Sequence, residues 1–262
     1  MGVRACVRAC LHAVGSAPDP SNVSQVRDVA RCLFDRGSFL ELRAAFGRSL
    51  VTALARIKGI AVGLIGNDCK HNGGAIDSAA ADKAAWLLRL CARFGLPVVS
   101  LCDTPGFMVG PASEAEGAVR RMCAMLVAGS EAAARVPWVT VVLRKAYGLG
   151  AQAMAAGSLH APLGTFAWPM GEFGGMGLEG AVKLGFRKEL DACSDELQRT
   201  ELYKSLLAAA YERGKALNTA RVFEIDDVID PADTRQCVAR VIGCSGHPAE
   251  PQWATLTSQS KL

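Results

Sequence analysis

The chemistry this sequence offers lies in its glycine turns rather than in a set of acidic, basic or nucleophilic side chains. Four histidines (His12, His71, His160, His247) fall in no recognisable acid–base motif, and the ten cysteines include no CxxC pair that would indicate a zinc ribbon. Residues 139–157, VTVVLRKAYGLGAQAMAAG, carry a different signal. Five strand formers (Val139, Thr140, Val141, Val142, Leu143) lead through Arg144 and Lys145 into the turn Ala146-Tyr147-Gly148-Leu149-Gly150. The helix formers Ala151-Gln152-Ala153-Met154-Ala155-Ala156 follow. A buried strand, a glycine turn and a helix start leave backbone N–H groups facing open space. Such amides stabilise negative charge developing on an oxygen without any ionisable side chain.

Two similar turns precede this one. Gly73-Gly74-Ala75 follows the apolar run at 60–65 (IAVGLI), and Pro105-Gly106-Phe107 follows 97–102 (PVVSLC). Short strands that are apolar throughout belong to a sheet covered on both faces. Helices are predicted between them. One spans 79–94, capped by Asp77-Ser78 and carrying Ala84, Leu87, Leu88 and Cys91 on one face. The other spans 114–134. The alternation predicts an α/β fold with a largely parallel sheet, whose turns beyond the strand C-termini converge.

The flanks complete the outline. A helix over 26–35 places Val26, Val29, Leu33 and Phe34 at helical spacing and stops at Gly37; strands are expected at 39–42 and 50–57. Residues 161–185 read as loop around the cluster Gly171, Gly174, Gly175, Gly177 and Gly180, with Trp168 and Met170 as packing groups. A helical pattern resumes over 188–217, a short strand and turn over 223–231, and a terminal helix over 231–242. The expected division is an N-terminal extension and Pro/Ser/Asn-rich linker (1–24), one domain (25–243) and a mobile tail (244–262).

Bulk properties narrow the function classes. Half the residues are hydrophobic and 21% are charged, enough for a sizeable core and too apolar for global disorder. A net charge of +4 and 6% aromatic content do not call for nucleic acid. No apolar run is long enough to span a membrane. The acid-free start, MGVRACVRACLHAVG, reads as a short amphipathic helix or ragged end in preference to an organelle transit peptide. Cysteines inside apolar runs, such as Cys91 and Cys102, read as reduced buried thiols, so a reducing, cytoplasmic compartment is expected.

Several ordered motifs together resemble one family. They are Asp103-Thr104-Pro105-Gly106-Phe107, Arg144-Lys145-Ala146-Tyr147-Gly148-Leu149-Gly150-Ala151, Ala167-Trp168-Pro169, Gly174-Gly175-Met176-Gly177-Leu178-Glu179-Gly180-Ala181, and FEIDDVIDPADT at 223–234. They are similar to the C-terminal half of the biotin-dependent acyl-CoA carboxyltransferases, the β subunits of acetyl-CoA and propionyl-CoA carboxylases. The resemblance runs from about residue 26 to about residue 242. It implies a crotonase-like α/β spiral with a C-terminal helical segment, matching the second of the family's two domains, the carboxybiotin side.

The implied reaction moves a carboxyl group between N1-carboxybiotin, borne on a separate carrier domain or protein, and the α-carbon of an acyl-CoA. The family's oxyanion donors map onto Gly150 and Ala151. Gly73, Gly74, Ala75, Pro105, Gly106, Phe107 and Gln152 are expected to bound the biotin, and the position of Ala153 to influence acyl-chain preference. Arg144 and Lys145 are candidates for steering the CoA phosphates or carboxylate, with solvated charges or an ion pair at a strand end an equal reading. No metal is implied. Implied partners are the biotin carboxyl carrier, the biotin carboxylase component, acyl-CoA, and an N-terminal carboxyltransferase domain from another chain or a homo-oligomer. Two further hypotheses are a non-catalytic assembly subunit and a stand-alone crotonase-type hydratase or hydrolase using Glu172 and Glu179.

Overall fold

The computed structural model describes residues 26–193 and 195–246. The expected extension at 1–24 and all of the expected tail except 244–246 lie outside the described residues. Cys244 is not tail but the last residue of a helix.

Among the described residues one eight-stranded sheet organises the fold, in the order β1-β2-β3-β4-β5-β6-β8, with β7 pairing against the far end of β5. β1 (Leu40–Leu42), β2 (Leu50–Ile57) and β3 (Ile60–Asn67) form an antiparallel edge. From β3 onward the strand-to-strand pairings among the described residues are parallel: β4 (Val98–Thr104), β5 (Trp138–Tyr147), β6 (Gly164–Ala167), β7 (Glu172–Gly174) and β8 (Asp227–Val228). The largely parallel sheet expected from the apolar runs is present, and its antiparallel edge comes from the β2–β3 hairpin. Ile57 faces Ile60 across a two-residue loop, Lys58-Gly59, with both φ values positive. That backbone follows the natural twist of the strands.

Helices cover both faces. Along β5 the pleat sends Val139, Val141 and Leu143 into one cluster and Trp138, Val142 and Ala146 into the other. The first cluster packs on α1 (Val26–Leu33) and α10 (Thr234–Cys244). The second packs on α2 (Ser78–Phe94) and α4 (Ala118–Ala133) through Leu87, Leu88, Cys91 and Met125. α2 starts and stops as its sequence dictates: the Asp77 carboxylate accepts the Ala80 N–H at 2.8 Å, and Gly95 ends it in the left-handed conformation (φ 66°). Trp138 and Trp168 are buried, and each indole N–H is satisfied, by Thr140 at 3.0 Å and Thr234 at 2.9 Å.

Three expectations need correction, and a fourth, the helical pattern over 188–217, is borne out in pieces. The single helix over 114–134 is two, α3 (Pro111–Ala115) and α4, because Gly117 between them takes φ 74° and cannot continue a right-handed helix. The loop over 161–185 contains β6, β7 and α6 (Leu178–Gly185). The pattern over 188–217 is three helices, α7 (Arg187–Ala192), α8 (Glu196–Gly214) and α9 (Ala216–Arg221). The turn predicted at 146–150 is shorter: pairing with β7 holds Lys145, Ala146 and Tyr147 in the strand, and α5 (Gly148–Met154) begins three residues before Ala151.

Asp35 ties distant parts of this architecture together. Its carboxylate accepts the Lys58 and Gly59 N–H groups of the hairpin at 3.0 and 2.8 Å and pairs with Arg235 of α10, 200 residues away in sequence. Burial opposes the charge, but the Gly59 N–H, Arg235 and the Lys58 N–H outweigh it and lower the pKa. The Asp35 contribution is therefore complete above the unfolded carboxylate pKa and lost as pH falls through the lower folded value. Asp35→Asn is expected to cost about 1–2 kcal/mol in urea melts at pH 7. The gap should begin to narrow below about pH 4, the unfolded carboxylate value, and close once the pH has fallen through the lower folded one.

Candidate functional site

The C-terminal ends of β3, β4 and β5 deliver three turns to one place, as the strand pattern predicts. The first two are laced by backbone. The Ile76 N–H donates to the Gly106 carbonyl at 3.0 Å, and the Met108 N–H to the Ile76 carbonyl at 2.9 Å, a short parallel bridge between Ile76 and Phe107. Asn67, at the last position of β3, spans the gap with both ends of its amide. Its N–H donates to the Gly74 carbonyl at 3.2 Å, and its oxygen accepts the Asp103 N–H at 3.0 Å. Thr104 places a buried hydroxyl in contact with both turns. Gly74 (φ 84°) lies so close to β4 that a Cβ there would fall 2.4 Å from the Asp103 carbonyl oxygen, whereas Gly73 (φ 61°) faces open space.

The third turn meets the second without any side chain between them. A Cβ on Gly150 would lie 2.7 Å from the Gly106 backbone and 3.0 Å from the Phe107 nitrogen. Gly148 (φ 58°) likewise approaches the Gly175 carbonyl, 3.0 Å from where its Cβ would stand. Gly150 and Ala151 are the third and fourth residues of α5, whose cap residue Tyr147 supplies no side-chain bond. At the same position of α2 and α6 the amide bonds the cap carbonyl, Ala81 to Asp77 and Ala181 to Gly177. The Gly150 amide, among the first four of the helix, has no acceptor within it and is left as a donor.

Arg144 and Lys145 sit at an irregularity. The β4–β5 register shifts between Cys102, which faces Val142, and Thr104, which faces Ala146. The shift takes the Lys145 N–H out of the regular ladder, and the Asp103 carboxylate accepts it at 3.1 Å. The same carboxylate holds Arg144 at 3.3 Å. Burial opposes the Arg144 charge, and Asp103 more than restores it, so its pKa is raised. The ion-pair reading of Arg144 thus describes its place; it braces the bulge. Beside it the Cys69 thiol donates to the Asp103 carbonyl at 3.3 Å, and burial together with Asp103 raises its pKa, keeping it protonated.

A model of the "Carboxyl transferase domain" family matches residues 5–251. The methylmalonyl-CoA carboxyltransferase 12S subunit of Propionibacterium freudenreichii subsp. shermanii is 42% identical over 222 residues, covering 83% of this chain and 40% of that protein. The chain belongs to the carboxyl transferase domain family. In solved structures, the transcarboxylase 12S hexamer superposes with a TM-score of 0.80 at 37% identity, covering 89% of this chain and 44% of that one. A single-chain, multi-domain long-chain acyl-CoA carboxylase gives 0.78 at 50% identity, covering 90% and 23%. The fold is thus the crotonase-like one of carboxyltransferases, and the chain spans about two fifths of the length of the curated relative.

Within this carboxyl transferase domain the predicted site residues separate into groups. Gly74, Ala75, Gly106, Gly150 and Ala151 are buried around the meeting turns, with Gly73 and Pro105 at the exposed rim and Phe107 between. Ala151 and Gln152 also line a cavity of about 910 Å³ that continues past Phe173, Leu178 and Val222 to Arg213 and Glu224. Ala153 is fully buried in the core and reaches neither the turns' rim nor that cavity. Glu172 accepts the Tyr147 hydroxyl at 2.8 Å, and burial with Glu172 raises the tyrosine's pKa. Asn67 was legible only as a polar residue after an apolar strand, and Thr104 only as a member of the turn motif at 103–107. The α6 part of the cavity wall lies in the motif at 174–181, whereas the wall from α8 and α9 had no sequence signal, because those helices carry mixed charge.

Both loop glycines have positive φ, but only one has no room. Gly73→Ala should cost about 1 kcal/mol, the left-handed penalty alone. Gly74→Ala should cost about 3 kcal/mol, because backbone of β4 must move. Chemical denaturation of the two variants side by side checks the contrast.

Proposed function

We propose that this chain supplies the carboxybiotin-side half-site for carboxyl transfer between biotin and an acyl-CoA of the acetyl- or propionyl-CoA class. The observation that carries the reading is the side-chain-free contact of Gly150 with Gly106 and Phe107 at the meeting point of three turns. It sits in a domain whose family relative is named a methylmalonyl-CoA carboxyltransferase subunit.

Biotin fits a cradle of this kind, because a compact bicycle with a planar, polar ureido edge needs close backbone and donors rather than charged side chains. When bound, it supplies the nitrogen that carries the carboxyl group. The Gly150 and Ala151 amides face the developing negative charge on an oxygen, each donor contributing about 3 kcal/mol. Gly73, Gly74, Ala75, Pro105, Gly106 and Phe107 bound the ring system, and Gln152 orients it from the cavity side. The cavity beyond Gln152, with its apolar wall and few polar groups, suits the acyl-CoA. Arg144 acts by bracing the bulge and Lys145 remains the candidate for steering anionic substrate. Biotin on a carrier protein, a biotin carboxylase component and an acyl-CoA-binding carboxyltransferase domain from another chain complete the system. The pairing of Glu172 with Tyr147 weighs against a Glu172–Glu179 hydratase centre.

The chain co-expressed with an acyl-CoA-binding half should transfer carboxyl between methylmalonyl-CoA and free biotin. Gly150→Val should lower that rate by about 100-fold or more. Absence of transfer by the wild-type chain with any partner half, while carrier binding persists, would favour an assembly subunit instead.

A further inference from the structure

The Thr104 hydroxyl is placed to couple two of the three turns. Its oxygen accepts the Gly106 N–H at 3.1 Å. Its single proton has two carbonyls within reach, Gly74 at 2.8 Å and Gly106 at 3.1 Å, and the nearer one is on the other turn. The resulting relay runs from the Gly106 amide through the hydroxyl to the Gly74 carbonyl, which also accepts the Asn67 amide. Thr104 has no exposed surface, so water does not compete for these bonds. The turn it holds is the one against which Gly150 packs backbone to backbone. Any drift of Gly106 moves the backbone against which Gly150 packs.

We propose that Thr104 is a positioning residue for the transfer reaction, locking the Gly74 and Gly106 turns so that Gly150 and Ala151 present their amides at a fixed depth. This rests on the carboxyl-transfer reading above. Thr104 touches no substrate in this role. Valine has nearly the same shape and lacks the hydroxyl, and serine keeps the hydroxyl and lacks the methyl, so the two variants separate bonding from packing.

Thr104→Val and Thr104→Ser are made in the full chain. Amide hydrogen exchange is followed by NMR, and transfer to biotin is assayed with the acyl-CoA-binding half. Thr104→Val is expected to speed exchange at Gly106 and Ile76 by about tenfold and to lower kcat by about tenfold or more, since small displacements near the reacting atoms are costly. KM for the acyl-CoA should stay within about twofold, and Thr104→Ser should restore both readouts. Wild-type exchange in Thr104→Val, or a serine variant as impaired as the valine one, would overturn the proposal. Should Thr104→Val fail to fold, the wild-type spectrum decides: the Gly106 amide is expected to be as protected as Ile76, and exchange at a loop rate rejects the coupling. If the wild-type chain shows no transfer with any partner, the carboxyl-transfer reading fails. The exchange comparison then decides the Thr104 coupling by itself.

Discussion

The contact on which the site depends is one of backbone with backbone. Gly150 approaches Gly106 and Phe107 to a distance that leaves no space for a single carbon, and Gly74 does the same to Asp103. Contacts of this kind cannot be relaxed by a rotamer change, since no rotamer is involved. They demand that β3, β4 and β5 end at matching heights, that each turn leave its strand in one conformation, and that the strands themselves be rigid. The fully buried parallel centre of the sheet, covered by α2 and α4 on one face and by α1 and α10 on the other, provides that rigidity.

Irregular backbone at such a place leaves polar groups outside the regular ladder, and the chain answers with buried side chains at strand ends. Asn67 serves Gly74 and Asp103, the Asp103 carboxylate serves Lys145 and Arg144, and Cys69 serves the Asp103 carbonyl. None of these groups resembles a catalytic acid or base, and the chemistry proposed does not ask for one. Their value is that a buried donor or acceptor left alone would cost about 1–3 kcal/mol. Satisfying each one makes the bulged, glycine-lined conformation the stable one.

Much of this was legible in the sequence, and the limits have physical causes. The apolar runs that became β3, β4 and β5 are buried on both faces and declare themselves by composition. The α2 helix declares itself by its Asp77 cap and its Gly95 stop. The meeting of three turns followed from the parallel order. Where the reading failed, tertiary pairing overrode local propensity. Ala146 and Tyr147 look like the start of a turn and stay in β5 because β7 pairs with them, and β7 is a glycine-flanked Glu-Phe-Gly with no strand signature. Gly117 interrupts an otherwise continuous helical pattern by its φ alone. Ala153 shares a helix with the site pair, and the helical period turns it into the core.

The pairing of α1 with α10 on one face of the sheet bears on how the protein is made. Val29 and Leu33 come from the first described helix, and Val238 and Ile242 from the last, yet they share one hydrophobic cluster over β3, β4 and β5. A ribosome delivers the chain from its N-terminus, so that cluster lacks one wall until α10 has been made. The other face, built from α2 and α4, has its partners within reach much earlier. Val139, Val141 and Leu143 then wait as an uncovered apolar stripe on the nascent chain, a surface for chaperones until α10 emerges.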